Sequence, residues 1–307
     1  MDSFKTVLTD RDTTYAFMQE GQRRNYTLYA CRIGDLGTDN EKGYAHAKRV
    51  SVRENSKRPF DIHEANRIEL DDLKLVFMRK DPPFDFNYIV ATYLLDSVAP
   101  GNTMVINHPS GLREANEKAF ILRFPQLIPP TRVTRKSDDI IEFMAEHDGR
   151  CIVKPLDAMG GAGVFLLGKD DPNLTSLIET STQFGARHIM CQAYVPESPQ
   201  GDKRIILIDG KPVGATLRIP KKGELRGNIH VGARCVRTTL TARERQICDA
   251  LAPDLKQLGL VFVGIDVIGG FLTEVNVTSP TGIQEINRLD GVCLEGRLWD
   301  WIERRLR

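Results

Sequence analysis

No apolar run in the chain is long enough to cross a bilayer, and its opening residues, MDSFKTVLTDRD, contain no apolar signal core. A membrane partner is therefore not expected, and a cytoplasmic location follows by default. Charge of one sign is also missing. Forty-two Lys and Arg face 41 Asp and Glu, a formal net charge of +1. Nucleic-acid binders gather a basic face; here only short pairs such as Arg23-Arg24, Lys48-Arg49 and Lys221-Lys222 occur, so no nucleic-acid partner is expected. Cysteine is sparse and unpatterned. The six, at 31, 151, 191, 235, 248 and 293, include no C-x-x-C, and the six histidines form neither H-x-x-x-H nor H-E-x-x-H. That argues against a zinc centre. Cysteines in apolar runs (CIVKP, IMCQAY) read as buried free thiols. Finally, no G-x-G-x-x-G follows a strand. Gly163-Val-Phe-Leu-Leu-Gly168-Lys169 mimics a phosphate-binding P-loop, but Asp170 stands where a Ser or Thr would reach the metal.

What is present is ordinary soluble-protein composition, 41% hydrophobic and 27% charged, in 307 residues, enough for two or three compact units. Residues 13–24 have a helical period with Tyr15, Phe17 and Met18 apolar, and 27–33 read as a strand. LKLVFMRK (73–80), a helix over 88–98 and TMVINHP (103–109) alternate as in an open α/β sheet. Ligands of such sheets gather where strands end, which is where Arg79, Lys80 and Asp81 lie. Residues 114–124 are expected to be helical, as are 137–147 with Ser137 as N-cap. Two strands flank AMGGAG; a helix over 174–184 and the strand HIMCQAYV follow. Asp209-Gly210 marks a hairpin turn. Thr241 and Glu244 form a capping box for a helix with Ile247, Leu251, Leu255 and Leu258 on one stripe, and Pro253 is expected to kink it. VFVGIDVIGGFLTEVNV reads as a last hairpin.

Two segments carry chemistry. Lys154-Pro-Leu-Asp-Ala-Met-Gly160-Gly161-Ala-Gly163 can aim backbone N–H groups at a phosphate with a lysine beside them, though taken alone it equally fits a tight hairpin. In LTEVNVTSPTG, Glu274 and Asn276 lie two apart on a strand and face one way. Their oxygens suit a hard divalent cation whose shell is completed by water and phosphate. Asp266, on the preceding strand, joins them if the hairpin loop holds an odd number of residues; a three-residue loop with a glycine bulge is expected. Lys118, Arg204, Arg218, Arg226 and Arg234 matter only if they converge on one anion.

In order, MRKDPPFD (78–85), NEK (116–118), KPLDAMGG (154–161), GDKRI (201–205), RIP…GELRGN (218–228), GIDVIG (264–269) and TEVNVTSPTG (273–282) resemble the bacterial glutathione synthetases of the ATP-grasp superfamily. The resemblance implies a mixed α/β and α+β chain, an ATP-grasp fold preceded by a Rossmann-like open α/β N-terminal domain. The expected units are 1–112, 113–195 and 196–307. It implies an ATP-dependent carboxylate–amine ligase joining γ-glutamylcysteine to glycine through an acyl phosphate, acting as a homotetramer or homodimer. ATP would be held by Lys118, Lys154, the loop with Met159, Gly160, Gly161 and Gly163, the hinge at Gln192, Tyr194 and Val195, and Asp202. Asp266, Glu274 and Asn276 would bind two magnesium ions, with manganese a possible substitute. Arg218 would face the transferred phosphoryl group, with Lys154 and Arg204 also catalytic. Arg79, Lys80, Asp81, Arg226, Asn228, Ser279, Pro280 and Thr281 would meet the substrates, and 157–163 and 220–234 would be lids. Ala158 and Ala233 stand where the family carries glycine, and the opening MDSFKTVLTD departs from its usual Met-Asp-Pro-like segment. Two other readings stay open: a ligase for a different acid or amine, and an ATP-binding regulatory protein without turnover.

Overall fold

A computed structural model describes residues 1–54, 58–98, 101–224, 227 and 232–306. Three sheets bear on the site. The first lies mostly in a segment, 36–69, that the sequence reading passed over. β1 (Leu28–Ala30), β2 (Leu36–Asp39), β3 (Lys42–Val52) and β4 (Phe60–Glu69) form an antiparallel sheet around β3. β3 buries Ala45, Ala47, Val50 and Val52; the slip in this alternation falls at a bulge in its pairing with β4. The strand expected over 27–33 is thus short, because Ile33–Asp35 turn as a 3-10 helix. Beside this sheet, β5 (Leu75–Phe77), α2 (Phe86–Leu95) and β6 (Met104–Ile106) make the expected parallel β-α-β unit.

The helix expected over 114–124 is not continuous. An α-helix, α3 (Pro109–Glu114), precedes a 3-10 turn at Ala119–Arg123. Between them the Asn116 side chain accepts from the amides of Lys118 and Ala119 at 3.1 and 2.9 Å. The Glu117 carbonyl accepts from the Val275 amide at 2.9 Å. Those bonds satisfy the backbone outside a helix.

The second sheet runs β7 (Thr131–Thr134), β10 (Ile189–Ala193), β8 (Arg150–Pro155), β9 (Phe165–Gly168), all neighbours antiparallel. α4 (Ser137–Glu146) and α5 (Leu174–Thr182) pack on it through Ile140, Phe143 and Ile178 against Val153, Leu167 and Ile189. Lys136, not Ser137, sits at the N-cap position of α4, while Thr134 accepts from the Lys136 amide.

The third sheet has the order β13 (Arg234–Arg237), β12 (Lys211–Ile219), β11 (Asp202–Ile208), β14 (Phe262–Ile268), β15 (Phe271–Asn276). Asp209 (φ 52°) and Gly210 (φ 73°) turn β11 into β12, both left-handed as a type I′ turn demands. α6 (Ala242–Gln257) starts on the expected capping box and continues through Pro253, burying Ile247, Leu251 and Leu255. α7 (Ile283–Asp290) and α8 (Leu294–Glu303) close the chain, α8 packing on α1 (Thr13–Arg23). One side chain ties the segment after β6 to the third sheet. Asn107 donates to the carbonyls of Phe262 (2.8 Å) and Val277 (2.7 Å) and accepts from the Phe262 amide (2.8 Å). No described helix is long and apolar enough to cross a membrane.

Candidate active site

The β14–β15 ribbon reaches the expected arrangement by a different device. Its turn holds two residues, Gly269 (φ 57°) and Gly270 (φ 80°), rather than three. Alone, that loop would put Asp266 and Glu274 on opposite faces. The odd residue lies inside the strand: Val267 is opposite Leu272 but Asp266 is opposite Glu274, leaving Thr273 as a bulge. The Thr273 hydroxyl donates to the Asp266 carbonyl at 3.1 Å. Asn276 is opposite Gly264, on the same face as Glu274.

Register across the sheet then stacks charge on that face. Arg218 of β12 is opposite Asp202 of β11, and Arg204 of β11 is opposite Asp266. Arg204 grips Asp266 with Nε (2.6 Å) and Nη2 (3.0 Å), and its Nη1 donates to the Thr281 carbonyl at 3.1 Å. Arg218 pairs with Asp202 and, at 3.0 Å, with Asp266. Burial alone would raise the Asp266 pKa; Arg204 and Arg218 hold it well below the usual carboxylate range. Burial pushes Asp202 up to about 6 despite Arg218. One Asp202 oxygen and the Arg218 Nε are buried without a hydrogen-bond partner. Buried charge left partly unsatisfied is costly for stability, and perturbed groups of this kind cluster at functional sites.

Two lysines face this ladder, Lys118 before the 3-10 turn at Ala119–Arg123 and Lys154 on β8. Lys118 Nζ pairs with Glu274 at 2.8 Å and donates to the Ala158 carbonyl at 2.6 Å, so the loop is engaged through its backbone and alanine suffices there. Burial lowers the Lys118 pKa, but Glu274, with Glu117 and Asp266, offsets it and the net shift is upward. Lys154 Nζ donates to Gln192 Oε1 at 2.5 Å, and Gln192 Nε2 to Thr131 at 3.1 Å. Burial pulls Lys154 down to about 8. In the connecting loop Gly163 has φ 70°, and a Cβ there would lie 2.7 Å from Pro155, so only glycine closes it.

Two cavities meet here. The smaller, about 120 Å³, is lined by Lys118, Lys154, Gly161, Gln192, Tyr194, Val195, Asp202 and Asp266. The larger, about 320 Å³, is lined by Arg79, Asp81, Met159, Arg204, Arg218, Asn276 and Ser279–Thr281. Gly160 and Glu274 belong to both walls. Arg79 is buried, donating to Thr14 (3.1 Å) and the Pro280 carbonyl (2.9 Å). The expected set therefore converges, with three exceptions. Lys80 lines neither cavity and turns to Asp2 (2.9 Å) and the Asp81 carbonyl (2.5 Å). Gly163 shapes the loop without lining a cavity. Arg234 is exposed on β13, outside the cluster. Arg226 and Asn228, and with them much of the segment 220–234, lie outside the described residues.

Sequence reasoning missed Glu117. Its carboxylate accepts from the amides of Val277 and Thr278 (3.0 Å each) and the Thr278 hydroxyl (2.7 Å), fixing the turn that carries Ser279–Thr281. Burial, reinforced by Glu274, raises its pKa. The signal was its place in NEK, where only the lysine was credited. Asp12 and Thr14, which also line the larger cavity, offered no motif.

Comparison with known proteins shows the family to which the chain belongs. The family models for the prokaryotic glutathione synthetase N-terminal domain and ATP-grasp domain match residues 1–113 and 117–291. The "Glutathione synthetase" of Gloeobacter violaceus is 45% identical over 307 residues, 98% of this chain and 94% of that protein. That of Vibrio parahaemolyticus is 44% identical over 308 residues, 100% of this chain and 97% of that protein. Among solved structures, the ATP-grasp ligase PsnB, complexed with a precursor variant, Mg and ADP, superposes with a TM-score of 0.63 at 17% identity, covering 95% of this chain and 94% of that one. At that identity the likeness speaks to the fold alone. The chain belongs to the prokaryotic glutathione synthetase family and has the ATP-grasp fold.

Proposed function

We propose that the two joined cavities hold ATP and γ-glutamylcysteine end to end, so that the cysteinyl carboxylate is phosphorylated where they meet and then captured by glycine. The observation that carries this reading is the shared wall, Gly160 and Glu274, between a lysine-lined pocket and one lined by arginines. The enzyme is an ATP-dependent ligase, like its relatives. In the smaller cavity adenine sits against Gln192, Tyr194 and Val195, the phosphates against Lys118, Lys154 and the 157–163 loop, and Asp202 borders the nucleotide. The units 1–112, 113–195 and 196–307 supply, in that order, the peptide side, the nucleotide loop and the acidic ribbon.

A carboxylate is a poor electrophile, and phosphorylation converts it into an acyl phosphate that an amine can attack. Arg218 and Arg204, on the cavity wall, stabilise the negative charge that develops on the transferred group. Arg79 is a buried guanidinium with no carboxylate within ion-pair range among the described residues, and it offers a counter-charge to an acidic substrate. Asp81 and Ser279–Thr281 border the acid and the incoming amine, and Glu117 holds that turn in place. Closure of the 157–163 loop keeps water from the acyl phosphate.

Magnesium fits the donor chemistry. Glu274, Asn276 and Asp266 place hard oxygen donors on one face, while no group of three or more His, Cys, Asp or Glu among the described residues forms an all-protein cage. That balance suits an ion that keeps water and phosphate oxygens, and two such ions, magnesium or manganese, would neutralise the phosphate tail. Asp266 is engaged by two arginines and Glu274 by Lys118 alone, so Glu274 and Asn276 are the more readily available donors. Six unpaired cysteines and the need for ATP favour the cytoplasm. Phe86 and Tyr93, exposed on α2, would be covered in a homodimer or homotetramer.

Incubating the purified protein with ATP, magnesium, γ-glutamylcysteine and glycine tests the reading. Glutathione and ADP should appear in equal amounts, and omission of either amino-acid substrate should stop glutathione. Turnover only with another acid or amine would replace the substrate assignment, and binding of ATP without turnover would replace the catalytic one.

A further inference from the structure

Between β1 and β5 lies a groove of about 370 Å³, bordered by all three residues of each strand and by Phe17, Ala47 and Trp299. The chemistry above does not use it. Among the described residues β1 pairs only with β3, and β5 only with β6. Each strand therefore brings an unpaired backbone edge to the groove. The side chains of β5 are apolar yet all only half-buried. They alternate between two cores: Leu75 and Phe77 pack in the cluster of Phe17 and Trp299, and Val76 in that of Ala45, Ala47 and Leu70. A strand inside a parallel sheet is normally covered on both faces, so a strand lying in this gap meets apolar side chains above and below.

Met1 and Asp2 mark the direction through the gap. The Met1 nitrogen donates to the Cys31 carbonyl at 3.0 Å, one residue past the end of β1. The Asp2 carboxylate accepts from the Asp81 amide at 2.8 Å and pairs with Lys80 at 2.9 Å, both beyond the end of β5. Both residues thus stand past the C-terminal ends of the two strands, and chain that enters Met1 through the groove runs parallel to both. Burial pulls the pKa of the Met1 amine down, whereas a peptide nitrogen makes the same bond with no charge to desolvate. We propose that the groove between β1 and β5 seats a further β-strand, an apolar segment of about five residues leading into Met1. It joins the first sheet and the β5–β6 pair into one, in the order β3, β1, added strand, β5, β6. Its C-terminal end delivers Asp2 to Lys80 and Asp81, where ligands of such sheets gather. The inference concerns the fold of the first unit and does not depend on which acid and amine are joined.

The test adds Lys-Val-Ile-Val-Ile directly ahead of Met1 in the full chain, with Lys-Gly-Ser-Gly-Ser as a control of equal length. The apolar extension should raise Tm by about 4 °C or more over the control and slow amide exchange in 28–30 and 75–77 by about tenfold or more, with the size in gel filtration unchanged. Exchange in those two segments that is the same for both extensions would overturn the proposal, whatever happens to Tm. Protection that appears only with a doubling of mass would overturn it too, since the strand would then be pairing between copies. If the extended chain is insoluble, the acetylated apolar pentapeptide added to the unextended protein carries the test. Slowed exchange confined to the same two segments is then expected, and unchanged exchange contradicts the assignment.

Discussion

Lys154 carries a positive charge where burial disfavours one. Its pKa is pulled down to about 8 from the ordinary 10.5, chiefly by desolvation, with Glu274 opposing and Lys118 adding to the fall. In the proposed ATP site it would attract phosphate below about pH 8 in the ligand-free protein and lose that attraction above it. ATP affinity measured by calorimetry should therefore weaken as pH rises through 8, and Lys154→Met should bind weakly at every pH without that step. Stability has the opposite sign. Between about 8 and 10.5 the unfolded chain binds a proton that the folded lysine has released, so this residue's contribution to the stability of the free protein improves as pH rises through that window. Glu274 tests the other half of the proposed phosphate site. Glu274→Gln keeps the size of the side chain but removes its charge, and ligation should fall about a hundred-fold or more while thermal unfolding stays cooperative. Retained activity would mean the phosphate tail is neutralised elsewhere.

The ribbon and its neighbours show what spacing in a sequence reveals and what it does not. The Asp-Gly turn, the capping box at Thr241 and the glycine loop were legible because each demands a specific backbone conformation. The facing of Asp266 and Glu274 was legible too, but its cause was not: a bulge at Thr273 leaves no mark in composition. Strands β2–β4 went unread, β4 because it is largely exposed on both faces and shows no clean alternation. The break between α3 and the following 3-10 turn depends on bonds from Asn116 and Glu117, Glu117 reaching residues about 160 positions away, which no local pattern encodes. Asn107 belongs with these long-range devices. Asn107→Ala removes three buried hydrogen bonds and strands the Phe262 amide, so the free energy of unfolding should drop by about 2–4 kcal/mol, read from the denaturant midpoint at unchanged m-value. A loss under about 0.5 kcal/mol would show that the units hold together without it.

At the scale of the whole molecule, three parts of the chain converge on one buried ionic cleft. The first brings Arg79 and Asp81, the second Lys154 and the glycine loop, the third the ladder Arg218, Asp202, Arg204, Asp266 and Glu274. Such a cleft makes chemical sense if a carboxylate and a nucleotide tail are brought together and one oxygen passes between them. That transfer can be followed directly. With both oxygens of the cysteinyl carboxylate of γ-glutamylcysteine labelled as oxygen-18, the phosphate released in the presence of ATP and glycine should carry one labelled oxygen per glutathione formed. Unlabelled phosphate released alongside glutathione would contradict activation of the carboxylate by phosphorylation in this cleft.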